Sequence, residues 1–123
     1  MDDLTGATPE NWYPRKTGMN PEAIINDDRR FGGVTRLFGS DGAASLRRAR
    51  ICVVGIGDVG SWALEALART GVGYLTAVDL DMVAESNTNR QIHALDGVFG
   101  KAKVEAMAER IAHINPACRV NCI

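Results

Sequence analysis

An α/β fold, built on a parallel sheet flanked by helices, is what this sequence predicts, and three observations predict it. Short apolar runs rich in β-branched residues alternate with helical periods, each run ends at a turn signal, and a glycine-rich turn joins the first run to the first helix. Ile51-Cys52-Val53-Val54 is apolar throughout and stops at glycine, so it reads as a strand buried on both faces of the sheet. From Val59 to Thr70, the positions Val59, Ala63, Ala66 and Leu67 recur at helical spacing, and Gly71 stands where a left-handed carboxyl cap is wanted. Tyr74 to Val78 reads as the second strand, ending at Asp79. Lys103 to Ile114 carries Val104, Met107, Ile111 and Ile114 on one stripe, and Asn115-Pro116 ends that helix before a third strand from Cys118 to Ile123. Strand, helix, strand, helix, strand with right-handed crossovers is half of a doubly wound, Rossmann-like sheet. About three strands make that sheet incomplete, and the chain reads as a fragment of a longer protein or a severely shortened one.

Three segments precede or make up this unit. Residues 1–20 are polar, punctuated by Pro9 and Pro14, and read as a flexible tail. Residues 21–50 read as a short helical N-terminal segment. Pro21 suits a first helical position, Glu22 to Arg30 is expected to be helical until Gly32 and Gly33 break it, and a second short helix is expected from about Asp41 to Ala49 with Ser40 or Asp41 as its cap. Residues 51–123 form the Rossmann-like half-domain. Within it, residues 80–99 are polar and irregular, with a helical turn expected at Arg90 to Leu95, and a loop of that length inside a small domain implies a function.

Composition narrows the function by exclusion. The 123 residues carry a net charge of -1, so no global basic field draws in nucleic acid, and any RNA contact would need a local patch. No apolar stretch reaches the roughly 20 residues that span a bilayer, and acidic Asp2 and Asp3 stand where a secretory signal carries basic residues, so a cytoplasmic protein with no membrane partner is expected. Cys52, Cys118 and Cys122 lie in or beside apolar runs and read as small buried thiols. Two of them on one face of a strand do not make a zinc site, and no metal ligands are assigned.

Gly55-Ile56-Gly57-Asp58-Val59-Gly60 fits G-x-G-x-x-G between strand and helix. In that pattern Gly55 permits the tight turn, Gly57 lets phosphates approach the backbone, and Gly60 lets the helix pack on the strand, while the amides and dipole of the helix start favour an anion. Asp79 is placed to accept from a ribose hydroxyl. These features suit NAD as well as ATP.

The following loop separates the two. It holds Asp79-x-Asp81, Asn87-x-x-Arg90-Gln91 and Gly100-Lys101-Ala102-Lys103. Together with the glycine turn, this set resembles the ThiF/MoeB-like, ubiquitin-activating-enzyme-like family, and Asn87 to Leu95 looks like its tRNA threonylcarbamoyladenosine dehydratase branch. Arg30-Phe31-Gly32-Gly33-Val34-Thr35-Arg36-Leu37 is similar to the same branch. Relatives that activate sulfur carriers show R-Y-x-R there, with an arginine that reaches the partner subunit's ATP, and this chain has Gly33 in that place. The resemblance runs from about Arg29 to Val120.

The resemblance implies an enzyme that binds ATP with magnesium and transfers AMP to a carboxylate, releasing pyrophosphate. Arg90 and Lys103 would neutralise phosphate charge, Asn87 would hold phosphate or the loop itself, Asp79 would hold the ribose, and Asp81 would help to fix the loop. In the dehydratase branch the acceptor is the threonylcarbamoyl carboxylate on an adenosine of tRNA, which cyclises with loss of water as the adenylate leaves. A homodimer and a sulfur-relay protein are the implied partners. Three other readings stay open: activation of a ubiquitin-like sulfur carrier, an NAD-binding oxidoreductase domain, and a non-catalytic binding module.

One position departs from the family, which carries glycine where this chain has Asp58. A carboxylate roughly 4 Å from a phosphate charge would repel it by about 4 kcal/mol, before screening, at an effective dielectric of ~20. Weak ATP binding is therefore expected.

Overall fold

In chain order, the computed structural model comprises α1 (Asp27–Arg30), α2 (Gly32–Arg48), β1 (Arg50–Val54), α3 (Gly60–Arg69), β2 (Tyr74–Val78), α4 (Lys103–Ile114) and β3 (Arg119–Cys122). It describes residues 27–123. The tail expected over residues 1–20 and the helix start expected at Glu22 lie outside the described residues.

The sheet has the order β1-β2-β3 and is parallel throughout, with Val53 beside Ala77 and Ala77 beside Cys122. Alternation along each strand sends Ile51, Val53, Leu75, Ala77, Val120 and Cys122 to one face. There α3 contributes Leu64 and Ala68, and α4 contributes Val104, Met107, Ala108 and Ile111. Leu64, Leu75, Met107 and Ile111 are fully buried, and each such side chain contributes about 1.5–3 kcal/mol of transfer free energy. The stripe expected on α4 is therefore the one that packs.

Two core expectations are corrected. β1 is not buried on both faces: it turns Cys52 and Val54 outward, Val54 at 77% exposure, and among the described residues it pairs with β2 alone. Cys52 is consequently an exposed thiol, whereas burial pushes Cys118 up to about 12 and Cys122 to about 11. On α3, Val59 and Ala66 face solvent, and Ser61, Leu64 and Ala68 form the inner stripe. The helix takes that rotation because Gly60 abuts the Gly55 carbonyl, which brings the positions one and two turns further on over the sheet.

The N-terminal segment also differs from expectation. α1 ends at Arg30, as expected, but Gly32 and Gly33 then open α2, and a further interruption falls at Gly39, where φ 77 and ψ 169 kink the element. The part beyond the kink corresponds to the helix expected from Asp41. Arg30 Nη1 donates to the Ile114 carbonyl at 2.7 Å, placing a cation at the negative end of α4, and Phe31 is buried beside Gly71. Asn115 Nδ2 donates to the Ala68 and Val72 carbonyls at 3.2 and 3.4 Å, so the end of α4 is tied to the end of α3.

The segment between β2 and α4 folds back over α4. Val83, Ala94 and Ala106 make a small second cluster with Val98 and Phe99 against it. In place of the helical turn expected at Arg90 to Leu95 stands a short 3-10 turn at Glu85–Asn87 followed by separate hydrogen-bonded turns, in which Gln91 and Ala94 bond back locally without continuing a helix. No helix among the described residues is long and apolar enough to cross a membrane.

Candidate nucleotide-binding site

The ends of β1 and β2 and the start of α3 meet at the glycine turn. Gly55 takes φ 89, a left-handed conformation that reverses the chain after β1, and its amide donates to the Val78 carbonyl at 2.8 Å. At Gly60, a Cβ would lie 1.6 Å from the Gly55 carbonyl oxygen, so close helix-to-strand contact demands glycine there. At Gly57, a Cβ would lie 3.6 Å from Gln91 Nε2, an ordinary contact; the chain's own packing does not require glycine, and the space it leaves adjoins a side-chain amide donor.

Ile56 is held from both sides. Its amide donates to Asp79 Oδ2 at 2.7 Å, and its carbonyl meets His93 Nε2 at 2.8 Å. A carbonyl only accepts, so Nε2 carries the His93 proton and Nδ1 is the bare nitrogen, buried without a partner among the described residues. Burial pushes the His93 pKa down, and the nearby Lys103 charge adds to that. Asp79 Oδ1 accepts the Asp81 amide at 2.8 Å. Burial works to raise the Asp79 pKa, but the Asp81 and Ile56 amides and the Lys103 charge hold it below the ordinary value. Asp79 thus joins the two strand ends and keeps lone pairs for a further donor. Asp81 fixes the loop through its main chain rather than its carboxylate: its amide binds Asp79 and its carbonyl accepts the Lys103 amide at 3.0 Å.

Asn87 is buried, and its Oδ1 accepts the Ala84 amide at 2.9 Å. That bond ties Asn87 into the loop. Arg90 donates from Nη1 to the Ser86 carbonyl at 3.1 Å and to Asn89 Oδ1 at 2.9 Å, and from Nε to Asp58 Oδ1 at 2.9 Å. Lys103 is buried at the start of α4, and its positive charge acts on both Asp58 and Asp79.

Asp58 itself is corrected. It does not lie unpaired on the helix amides, and α3 has no side-chain cap. Its Oδ1 accepts from Gln91 Nε2 at 2.8 Å as well as from Arg90, and the Gln91 donor, with the Arg90 and Lys103 charges behind it, lowers its pKa. The turn therefore balances two carboxylates, Asp58 and Asp79, against two cations, Arg90 and Lys103.

Sequence reasoning brought Gly55, Gly57, Gly60, Asp58, Asp79, Arg90 and Lys103 to one place, and the structure gathers them there. It missed Ser61 and Trp62. Ser61 Oγ donates to the Gly57 carbonyl at 2.5 Å and accepts the Ile92 amide at 3.3 Å, while Trp62 Nε1 donates to the Arg90 carbonyl at 2.8 Å. A polar residue on the inner face of an apolar helix, one position after Gly60, was the available signal. Among the described residues no group of three or more His, Cys, Asp or Glu could hold a metal ion.

A glycine turn, a strand-end acid and two cations thus meet at one end of a Rossmann-like α/β sheet. The chain belongs to the ThiF family, whose model matches residues 32–123. It is 59% identical over 102 residues to the tRNA threonylcarbamoyladenosine dehydratase of Escherichia coli (strain K12), covering 81% of this chain and 38% of that protein. The enzyme of the same name from Haemophilus influenzae is 54% identical over 100 residues, with 81% and 38% covered. A crystal structure of the E. coli enzyme in complex with ATP matches with a TM-score of 0.77 at 58% identity, covering 78% of this chain and 40% of that one. The chain spans about two-fifths of the length of these relatives.

Proposed function

We propose that this chain is the nucleotide-binding part of an ATP-dependent enzyme that adenylates the carboxylate of threonylcarbamoyladenosine in tRNA and promotes its dehydration to the cyclic form. The observation that carries the reading is the convergence of Arg90 and Lys103 on the Gly55–Gly60 turn, with Asp79 at its floor. In this reading the turn's amides receive the phosphates and Asp79 accepts a ribose hydroxyl through its remaining lone pairs. Arg90 and Lys103 neutralise the negative charge that builds as the carboxylate oxygen bonds to the α-phosphorus and the bond to pyrophosphate breaks. Asn87 and Asp81 hold the loop that aims them. AMP then departs as the modification closes its ring.

Magnesium would enter with the triphosphate and neutralise part of its charge. Asp58 and Asp79 are the acids at the turn, and both already bind donors, so the residues present suit a nucleotide-borne ion better than a resident one. The same reading includes a homodimer, a sulfur-relay partner and a cytoplasmic setting, where ATP and tRNA meet. Gly33, at the place of the arginine that marks sulfur-carrier activation, supports the dehydratase branch.

Titration calorimetry with ATP and with NAD separates this reading from a dinucleotide-binding domain. ATP is expected to bind the more tightly of the two; tighter binding of NAD would overturn the assignment. With the remainder of the relatives' length joined to this chain, pyrophosphate release is expected to depend on tRNA bearing threonylcarbamoyladenosine.

A further inference from the structure

Two donors from different residues end on a single oxygen. Arg90 Nε and Gln91 Nε2 lie 2.9 and 2.8 Å from Asp58 Oδ1. Gln91 Nε2 is also the atom that the open side of Gly57 faces, so the pair stands beside the backbone where the turn presents its amides. A guanidinium and a carboxamide converging in this way make a two-point receptor for an anionic oxygen, and a carboxylate oxygen offers them the same acceptor as a phosphate oxygen. The chain fills that receptor from its own glycine turn.

We infer that Asp58 is a specificity-determining residue, an internal competitor that a ligand's phosphate must displace from Arg90 and Gln91, so that it weakens the site's hold on ATP and leaves that on adenosine unchanged. This rests on the adenine-nucleotide reading above. The Asp58 side chain is 58% exposed, so it has solvent to swing into and poses a charge barrier rather than a steric one. Displaced, it still lies on the turn that receives the phosphates and repels them. A neutral ligand contests neither donor, and its affinity is independent of the carboxylate.

The test is calorimetric titration of the 123-residue chain, Asp58→Gly and Asp58→Asn with ATP, AMP and adenosine. Asp58→Gly is expected to raise ATP affinity by about tenfold or more, and Asp58→Asn to recover most of that gain, while adenosine affinity stays within about twofold. Equal ATP affinities for the three proteins overturn the inference and leave the nucleotide reading standing; an equal gain for adenosine and ATP overturns it too, since Asp58 would then act through shape. Absence of nucleotide binding in all three overturns both. A measurement on the unaltered chain guards against misfolded variants: the Arg90 Nε–H resonance is expected to shift on titration with ATP and not with adenosine. ATP binding that leaves it unmoved also overturns the inference.

Discussion

The indole Nε1 of Trp62 donates to the backbone carbonyl of Arg90 at 2.8 Å, so the first turn of α3 holds the loop that carries the guanidinium. Ser61 fastens the next stretch through the Ile92 amide. Trp62→Phe keeps most of the ring and removes the donor. It is expected to cost about 0.5–1 kcal/mol of stability, the low end for a hydrogen bond because the site is exposed. Its larger effect is local: hydrogen exchange of the amides from Arg90 to Ile92 should quicken. Unchanged exchange there would show that the loop keeps its place without the indole.

The glycines of the turn are not equivalent. At Gly60 an added Cβ meets the Gly55 carbonyl oxygen at 1.6 Å, and backbone on both sides cannot yield without moving α3 off the sheet. Gly60→Ala should therefore destabilise by about 3 kcal/mol or more. At Gly57 the nearest atom is Gln91 Nε2 at 3.6 Å and φ is not positive, so Gly57→Ala should cost under about 1 kcal/mol while hindering a phosphate at the backbone. Urea unfolding of the two variants gives the comparison, and similar losses would refute this division of roles.

Lys103 and Arg90 differ in how they are engaged. Arg90 is committed to Asp58, whereas none of the salt bridges among the described residues involves Lys103. Lys103 thus brings to an incoming anion a charge that needs no release from a partner. Lys103→Met should weaken ATP binding by at least about tenfold, roughly 1.4 kcal/mol, and by more than Arg90→Ala, because the Arg90 guanidinium already spends part of its charge on Asp58. Titration of both variants with ATP decides the order; a greater loss at Arg90 would reverse the assignment.

Strand and helix identities were legible because apolar runs and helical spacing depend on near neighbours in sequence. Tyr74–Val78 and Lys103–Ile114 match their expected limits. The glycine turn was legible for the same reason, since backbone geometry at Gly55 and Gly60 dictates residue type locally. What escaped depends on facts beyond the local window. Which stripe of α3 faces inward follows from Gly60 meeting the Gly55 carbonyl, and the exposure of Cys52 and Val54 depends on what packs over the outer face of β1, which its own run of residues does not encode. The Asp58 pairing escaped for a third reason. Residues 58, 90 and 91 become neighbours only once Asn87, Ser61 and Trp62 have folded the intervening loop.

His93 supplies a pH dependence whose sign follows from its burial. Its ring is 2% exposed with Nε2 on the Ile56 carbonyl, and burial pushes its pKa below the ordinary 6.5. Below pH 6.5 the unfolded chain takes up a proton that the folded chain resists. The stability that neutral His93 permits is therefore fully present above 6.5 and is lost as the pH falls towards the lowered folded value. Asp79, also depressed, acts in a separate window: its contribution is present above 3.8 and is lost only as the pH falls further. His93→Gln can still donate to the Ile56 carbonyl but does not titrate. The unaltered chain should accordingly lose more unfolding free energy between pH 7.5 and 5.5 than the variant, with the two curves parallel above pH 7. Parallel curves over the whole range would mean that His93 accepts its proton in the folded state, through the bare Nδ1, at no cost.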